Sequence, residues 1–302
     1  MVARNIHHLP LLAGEQVVGV VTTTDLMRLE QANPVYLAGD IAKQADSAGV
    51  AAAAARLPQV VESLVAQDAS AADMGRIVTS VGDAVERRLI ALAHERLGPA
   101  PVPYCWVTLG SRARLEQALA ADQDNALIID DSAGPDDLRY FERLAELVTG
   151  DLVEAGYPRC AGGVMATNAQ WRLRLRQWHA VFHEWLSAPV PDAILRASIF
   201  FDMRPVPGDV RLHGELSGMV REQAPTSARF LSHLAGAAAA GSPPIGFLPG
   251  FGAGEEGGIL RTSDAADERY SVNLRGCLYT IKITISYITS YKSEQRKDQH
   301  TR

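Results

Sequence analysis

Two aspartates and a Gly-Ser turn are the residues of this chain best placed to do chemistry. The run Gly110-Ser111-Arg112-Ala113-Arg114-Leu115-Glu116-Gln117 leads to Asp122-Gln123-Asp124-Asn125, and then to the apolar stretch Ala126-Leu127-Ile128-Ile129. On a strand, residues i and i+2 point to the same face, so Asp122 and Asp124 can reach one point in space. Two converging carboxylates repel unless a cation lies between them. Mg²⁺ is commonly held by one or two carboxylates together with substrate phosphates. A Gly-Ser turn offers backbone N–H groups and a hydroxyl to those phosphates. Together these are the parts of a metal-dependent nucleotidyl transfer site. Without that flanking pattern the same two aspartates read as a solvated acidic turn, because Asp-x-Asp pairs are common by chance.

Other constellations carry less. Trp171, Trp178 and Trp185 recur every seven residues. On one helix they form a stripe that is a base-stacking platform, a partner seam or, more simply, core, since aromatic side chains have large areas to bury. Arg172, Arg174 and Arg176 fall on other faces of that helix, as a solvated basic face or a triphosphate contact. His179 and His183 stand at i and i+4 without a third ligand in sequence. His7 and His8 are adjacent, and neighbours on a strand point to opposite faces. Asp130 and Asp131 read as loop or capping residues.

The elements around these residues alternate between strand and helix, which predicts an α/β (α+β) fold with a mixed sheet and flanking helices. Residues 46–67 and 71–97 read as helices, the second closed by Gly98-Pro99. Tyr104 to Leu109 reads as a strand and Arg112 to Ala121 as a helix. Ala126 to Ile129 continues the strand begun by the aspartates. Asp136 to Thr149 is an amphipathic helix, Trp171 to Leu186 another, and Ala197 to Met203 a further strand with Asp202 embedded in it. A carboxylate there is costly unless paired or metal-bound. Residues 209–240 read as helical, 246–258 as Gly-rich, and 272–291 as an alternating strand run out of character with what precedes it.

The first 30 residues are a small βα unit: an apolar run at His8-Leu9-Pro10-Leu11-Leu12, a turn at Gly14-Glu15, a β-branched run at Val17 to Val21, then Thr22 to Asp25 opening a helix at Leu26-Met27. This resembles the second half of a CBS repeat. The resemblance implies that Thr22 and Asp25 contact the ribose of an adenine nucleotide; otherwise they are helix caps. A half repeat cannot bury its own sheet face and calls for a partner chain, such as a homodimer. A start inside such a repeat reads as truncation of a longer regulatory protein. Residues 31–45 read as a connector.

Bulk properties set limits. The 302 residues carry a formal net charge of -6 and are 47% hydrophobic. That composition supports a real core and argues against a chain that coats nucleic acid. Cys105, Cys160 and Cys277 lie far apart without zinc spacing, as buried thiols of a reducing compartment do. No signal-peptide pattern and no apolar run of about 18 residues is present, so the expectation is a soluble cytoplasmic protein away from membranes.

The string G-S-x-x-R-x-E-Q-x-L-x-x-D-Q-D-N-A-L resembles the nucleotidyltransferases related to the uridylyltransferase of signalling protein PII, within the DNA polymerase beta-like superfamily. Gly156-Tyr157-Pro158, the segment Cys160 to Ala166, Trp171-Arg172 and Phe200 to Arg204 follow the same family in order. The resemblance covers about residues 1 to 251. It implies a partial CBS module and linker over 1–45, a nucleotidyltransferase domain over 46–205 and the start of a helical substrate-binding domain over 206–258, with an atypical tail over 259–302. It implies that Gly110 and Ser111 hold the triphosphate of UTP or ATP, that Asp122 and Asp124 bind Mg²⁺, and that Arg114 is a phosphate or structural contact. A third carboxylate is usual on a neighbouring strand. Asp202 is the candidate, with Asp192 behind it; the alternative for Asp202 is a buried ion pair with Arg204 or Arg114. The implied activity is transfer of a nucleoside monophosphate to a protein acceptor in nucleotide-responsive signalling. The alternatives are a nucleotide-sensing protein without turnover and a truncated, non-functional product.

Overall fold

The computed structural model describes residues 6–22, 33–188 and 199–240. Their contacts divide the chain into two units. The first draws on residues 1–101, 115–123 and 135–169; the second on 102–114, 124–134 and 170–302.

In the first unit, strands β1 (His8–Ala13) and β2 (Gln16–Thr22) form an antiparallel hairpin around Gly14-Glu15. Its apolar side chains, among them Leu12, Val17 and Val18, are exposed. The segment expected as a connector contains helix α1 (Pro34–Ala42). Asn33 there is a cap and not a break: its side chain accepts from the Val35 N–H at 2.9 Å. Pro34 takes a first-turn position whose N–H has no helical partner in any case.

The helical reading of 46–67 resolves into α2 (Ser47–Ala54) and α3 (Leu57–Ala66). Helix α4 (Ala71–Leu97) has the expected bounds, with Ser70 capping the Asp73 N–H and Gly98 at φ +86 closing it. Helix α5 (Pro135–Glu154) runs five residues further than expected and packs on α4. Val78, Val85, Leu89, Phe141, Leu144 and Val148 are buried in this unit. At its edge the Tyr140 hydroxyl donates to the Gly98 carbonyl at 2.6 Å and lies 2.6 Å from His94 Nδ1.

The second unit is built on a mixed sheet. Strands β3 (Tyr104–Leu109), β4 (Asn125–Ile129), β5 (Arg172–Arg174) and β6 (Met203–Gly208) lie in the order β5-β4-β3-β6. Strand β3 is antiparallel to β4 and β6, and β4 is parallel to β5. Every residue of β3 and β4 is buried, as expected of short continuous apolar runs at a sheet centre. Helix α6 (Leu175–Ser187) covers the sheet, and the Trp178 indole N–H donates to the Leu127 carbonyl at 2.9 Å. Helices α7 (Val210–Gln223) and α8 (Ala228–Ala240) follow.

Three expected elements differ. The helix expected over 112–121 is only the turn Gly110–Ala113; Leu115 (φ 62) and Ala120 (φ 56) then take left-handed backbone, which no right-handed helix accepts. The strand placed at Ala197 to Met203 begins at Met203, so Asp202 precedes a strand instead of lying inside one. Trp171 belongs to a 3₁₀ turn and Arg172 and Arg174 to β5, so the tryptophans do not share a helix. They nevertheless meet. Trp171 stacks on Trp178 at 6.2 Å between ring centroids and lies 4.6 Å from Phe200. All three tryptophans are buried, which makes them core.

Asp25, the helix expected at Leu26-Met27, Asp192, Cys277 and the run 272–291 lie outside the described residues. Among the described residues no helix is long and apolar enough to cross a membrane.

Candidate functional site

In the second unit the site is organised by the end of β3. Because β3 is antiparallel to both neighbours, its C-terminal end meets their N-terminal ends. Leu109 N–H donates to the Asp124 carbonyl at 3.1 Å, just before β4. Gly110 N–H donates to the Asp202 carbonyl at 3.0 Å, just before β6. The turn therefore has one aspartate on each side.

Gly110 sits at φ +57, a conformation that glycine adopts without steric cost. A Cβ added there would lie 3.6 Å from Asp124 Oδ2, so the Asp124 carboxylate lies against the turn. Ser111 follows as the second residue of the short helical turn and is half-buried.

Asp202 is held on its side chain as well. Arg114 Nη1 donates to its Oδ2 at 2.8 Å, with the two side chains 9% and 12% exposed. Of the readings open for Asp202, the ion pair with Arg114 is realised. Arg204, the other candidate partner, donates from Nη2 to the Arg112 carbonyl at 3.3 Å. Arg112 is itself buried, a placement its sequence gave no sign of.

In the first unit Gln123 fixes the position of Asp122. Gln123 is 1% exposed. Its N–H donates to the Pro158 carbonyl at 2.9 Å, and it forms a parallel bridge with Arg159. Its side-chain amide donates to the Thr149 and Tyr157 carbonyls, each at 3.2 Å. Both aspartates lie before β4, which begins at Asn125; by the period of two, Asp122 takes the side away from the Gln123 amide. The same alternation puts Cys160, next to Arg159, on the side of Asp122. A carboxylate oxygen of Asp122 and the Cys160 Sγ lie within 4.8 Å of each other. Asp122 is exposed and Cys160 half-buried.

Cys160 is the residue that sequence reasoning missed. It was expected as a buried thiol and is only half-buried; its signal was its place two residues after Pro158 in the segment Gly156-Tyr157-Pro158-Arg159-Cys160.

The remaining candidates stay apart from this arrangement. His183 Nδ1 lies 3.4 Å from Gln223 Oε1, and no third ligand joins His179 and His183 among the described residues. Asp130 Oδ1 accepts from the Ser132 N–H and hydroxyl, and these bonds hold its carboxyl below the usual range. Asp131 Oδ1 accepts from the Arg176 N–H at the start of α6. Both are loop residues in capping roles. Thr22 ends β2.

Residues 55–192 match a protein family described as "Putative nucleotidyltransferase DUF294". This segment is similar to that family. The match takes in the Gly110-Ser111 turn, Arg114, Asp122, Asp124 and Cys160. It begins after the hairpin and α1, and ends before Asp202. No curated protein matches the chain. In the matched segment Asp122 and Asp124 are hard carboxylate donors of the kind that divalent cations take, and Cys160 places a softer sulfur beside Asp122.

Proposed function

We propose that the chain transfers a nucleoside monophosphate from a nucleoside triphosphate, UTP or ATP, to an acceptor, and that the acceptor is a protein. The observation that carries this reading is the left-handed Gly110 turn with the Asp124 carboxylate against it. A glycine there leaves room for a phosphate to approach the backbone beside an anionic metal ligand.

Asp122 and Asp124 would hold Mg²⁺, which when bound offsets phosphate charge. Gly110 and Ser111 hold the triphosphate, Gly110 by leaving the turn open and Ser111 through its backbone N–H and hydroxyl. The acceptor oxygen attacks the α-phosphorus in line. The bond to the bridging oxygen breaks, pyrophosphate leaves with the electron pair, and the acceptor proton passes to solvent. Asp202 is the third carboxylate of this reading; Arg114 fixes its position. At the hairpin, Thr22 together with Asp25 contacts an adenine nucleotide, in keeping with the CBS-like sequence, and the setting is nucleotide-responsive signalling in the cytoplasm.

The second reading is nucleotide binding without transfer. It is favoured by one observation: the Asp202 carboxylate is already engaged by Arg114.

Incubation with labelled UTP or ATP, Mg²⁺ and cell extract separates the two. Label on protein that is lost in Asp124→Asn, with the thermal midpoint unchanged, supports transfer. Wild-type labelling by that variant overturns it. Calorimetric binding of nucleotide with no labelling supports the second reading.

A further inference from the structure

We propose that Cys160 is a ligand of the cation bound at Asp122, and that its sulfur makes this site selective for thiophilic divalent ions over Mg²⁺ alone. The inference rests on the reading of Asp122 as a metal ligand.

Three observations carry it. The Cys160 Sγ and an Asp122 oxygen lie within 4.8 Å, a separation that two donors to one ion can have. The isolated parallel bridge between Gln123 and Arg159 brings the two segments side by side, with Asp122 and Cys160 each next to a bridged residue. The Gln123 amide ties the same segment down from the opposite side, to the Thr149 and Tyr157 carbonyls. A ligand pair on so fixed a frame is pre-organised.

Sulfur changes what the site prefers. Carboxylate and water suit Mg²⁺ and Mn²⁺, while a thiolate adds affinity for Zn²⁺ and its heavier congener Cd²⁺. Binding exchanges a proton for the metal: the thiol loses H⁺ as the sulfur–metal bond forms, so metal uptake releases acid. No oxidant or reductant is involved. Cys105 is buried in β3, and burial pushes its thiol up to about 12.

The test is Cd²⁺ titration of the full chain, read by the thiolate-to-cadmium charge-transfer absorption in the ultraviolet. Wild type is expected to develop the band at one equivalent. Cys160→Ser is expected to lose it, and a Cys105→Ala/Cys277→Ala variant, which keeps Cys160, to retain it. Asp122→Asn is expected to weaken Cd²⁺ binding roughly tenfold or more, as loss of a ligand does at a metal site. No band in wild type, a band that survives Cys160→Ser, or Cd²⁺ affinity indifferent to Asp122→Asn overturns the inference. If the band is absent while Mg²⁺-dependent labelling of protein persists, only the role of Cys160 falls. If both are absent, the metal reading of Asp122 falls with it.

Discussion

Arg114 and Asp202 form an ion pair at 2.8 Å with both side chains close to fully buried. The pair ties the residue after the Gly110–Ala113 turn to the residue before β6, while the Asp202 carbonyl holds the Gly110 N–H. One aspartate thus secures the turn through its backbone and the following arginine through its side chain.

Removing one member of this pair leaves a buried charge. Asp202→Leu or Arg114→Met alone is expected to cost about 3–5 kcal/mol. The double variant is expected to cost less than the sum of the singles by about 1–3 kcal/mol. Urea unfolding of the four proteins measures it. Strict additivity would mean that the pair is not coupled in solution.

Gly208 predicts a sharper loss. It stands at φ +112 at the end of β6, and a Cβ there would lie 2.3 Å from the Tyr104 carbonyl oxygen and 3.0 Å from Cys105 Cα. Neither is a flexible side chain that could move aside. Gly208→Ala is expected to destabilise by more than about 3 kcal/mol or to prevent folding, since overpacking adds to left-handed strain. A thermal midpoint within a degree or so of wild type would show that β6 does not pair with β3 in this register.

Two histidines set the response to acid. Burial lowers the pKa of His94, beside Tyr140, and of His213, whose Nε2 lies 3.1 Å from the Met203 carbonyl. Both therefore resist protonation in the folded chain. Their ordinary value is 6.5, so the unfolded chain takes up protons first as pH falls below it. Stability is complete above about pH 6.5 and declines as pH falls through it toward the folded values. Asp151 acts in the opposite sense at lower pH, because burial raises its carboxyl and the folded chain there takes a proton more readily. Urea midpoints at about pH 8 and about pH 5.5 are expected to differ, and the His94→Gln/His213→Gln variant to show a smaller difference. An unchanged slope would remove both histidines as its source.

The indole N–H of Trp178 gives a graded test of the core. Trp178→Phe loses its bond to the Leu127 carbonyl and part of its volume; Trp178→Ala loses the stack on Trp171 as well. The expected costs are about 2 and about 3–5 kcal/mol. If the phenylalanine variant matched wild type by calorimetry, the bond to Leu127 would contribute nothing net.

Where local signals and packing agree, the sequence was a sufficient guide. Ser70, the apolar spacing of α4 and Gly98 mark that helix at both ends, and its bounds come out as read. Tyr104 to Leu109 is apolar and β-branched throughout and forms the buried strand expected of it. Legibility fails where tertiary contacts override local preference. Arg112 to Ala121 carries residues that favour a helix, yet its backbone at Leu115 to Gln117 lies against α4 instead. Asn33-Pro34 carries the signs of a break and of a helix start equally, and only the Asn33 bond to Val35 decides. At the site, the Gly110 turn and the neighbouring aspartates were legible from spacing. The Arg114–Asp202 pair spans 88 residues and Asp122–Cys160 spans two segments with no shared motif, so no local pattern reports either.

The stretch after the Gly-Ser turn has a consequence for anyone wishing to move this motif elsewhere. The backbone of Leu115 and Glu116 passes so near Gly75 that a Cβ on the glycine would sit 3.0 Å from the Leu115 carbonyl. One helical turn on, Thr79 Oγ1 lies 3.4 Å from the Gln117 nitrogen. Left-handed backbone at Leu115 costs about 1–2 kcal/mol, and these contacts with α4 are what hold it. The motif is therefore not a portable cassette. A graft that carries residues 115–117 into another scaffold, or a peptide of that sequence, lacks the surface that imposes their shape; the transplantable unit is that stretch together with α4.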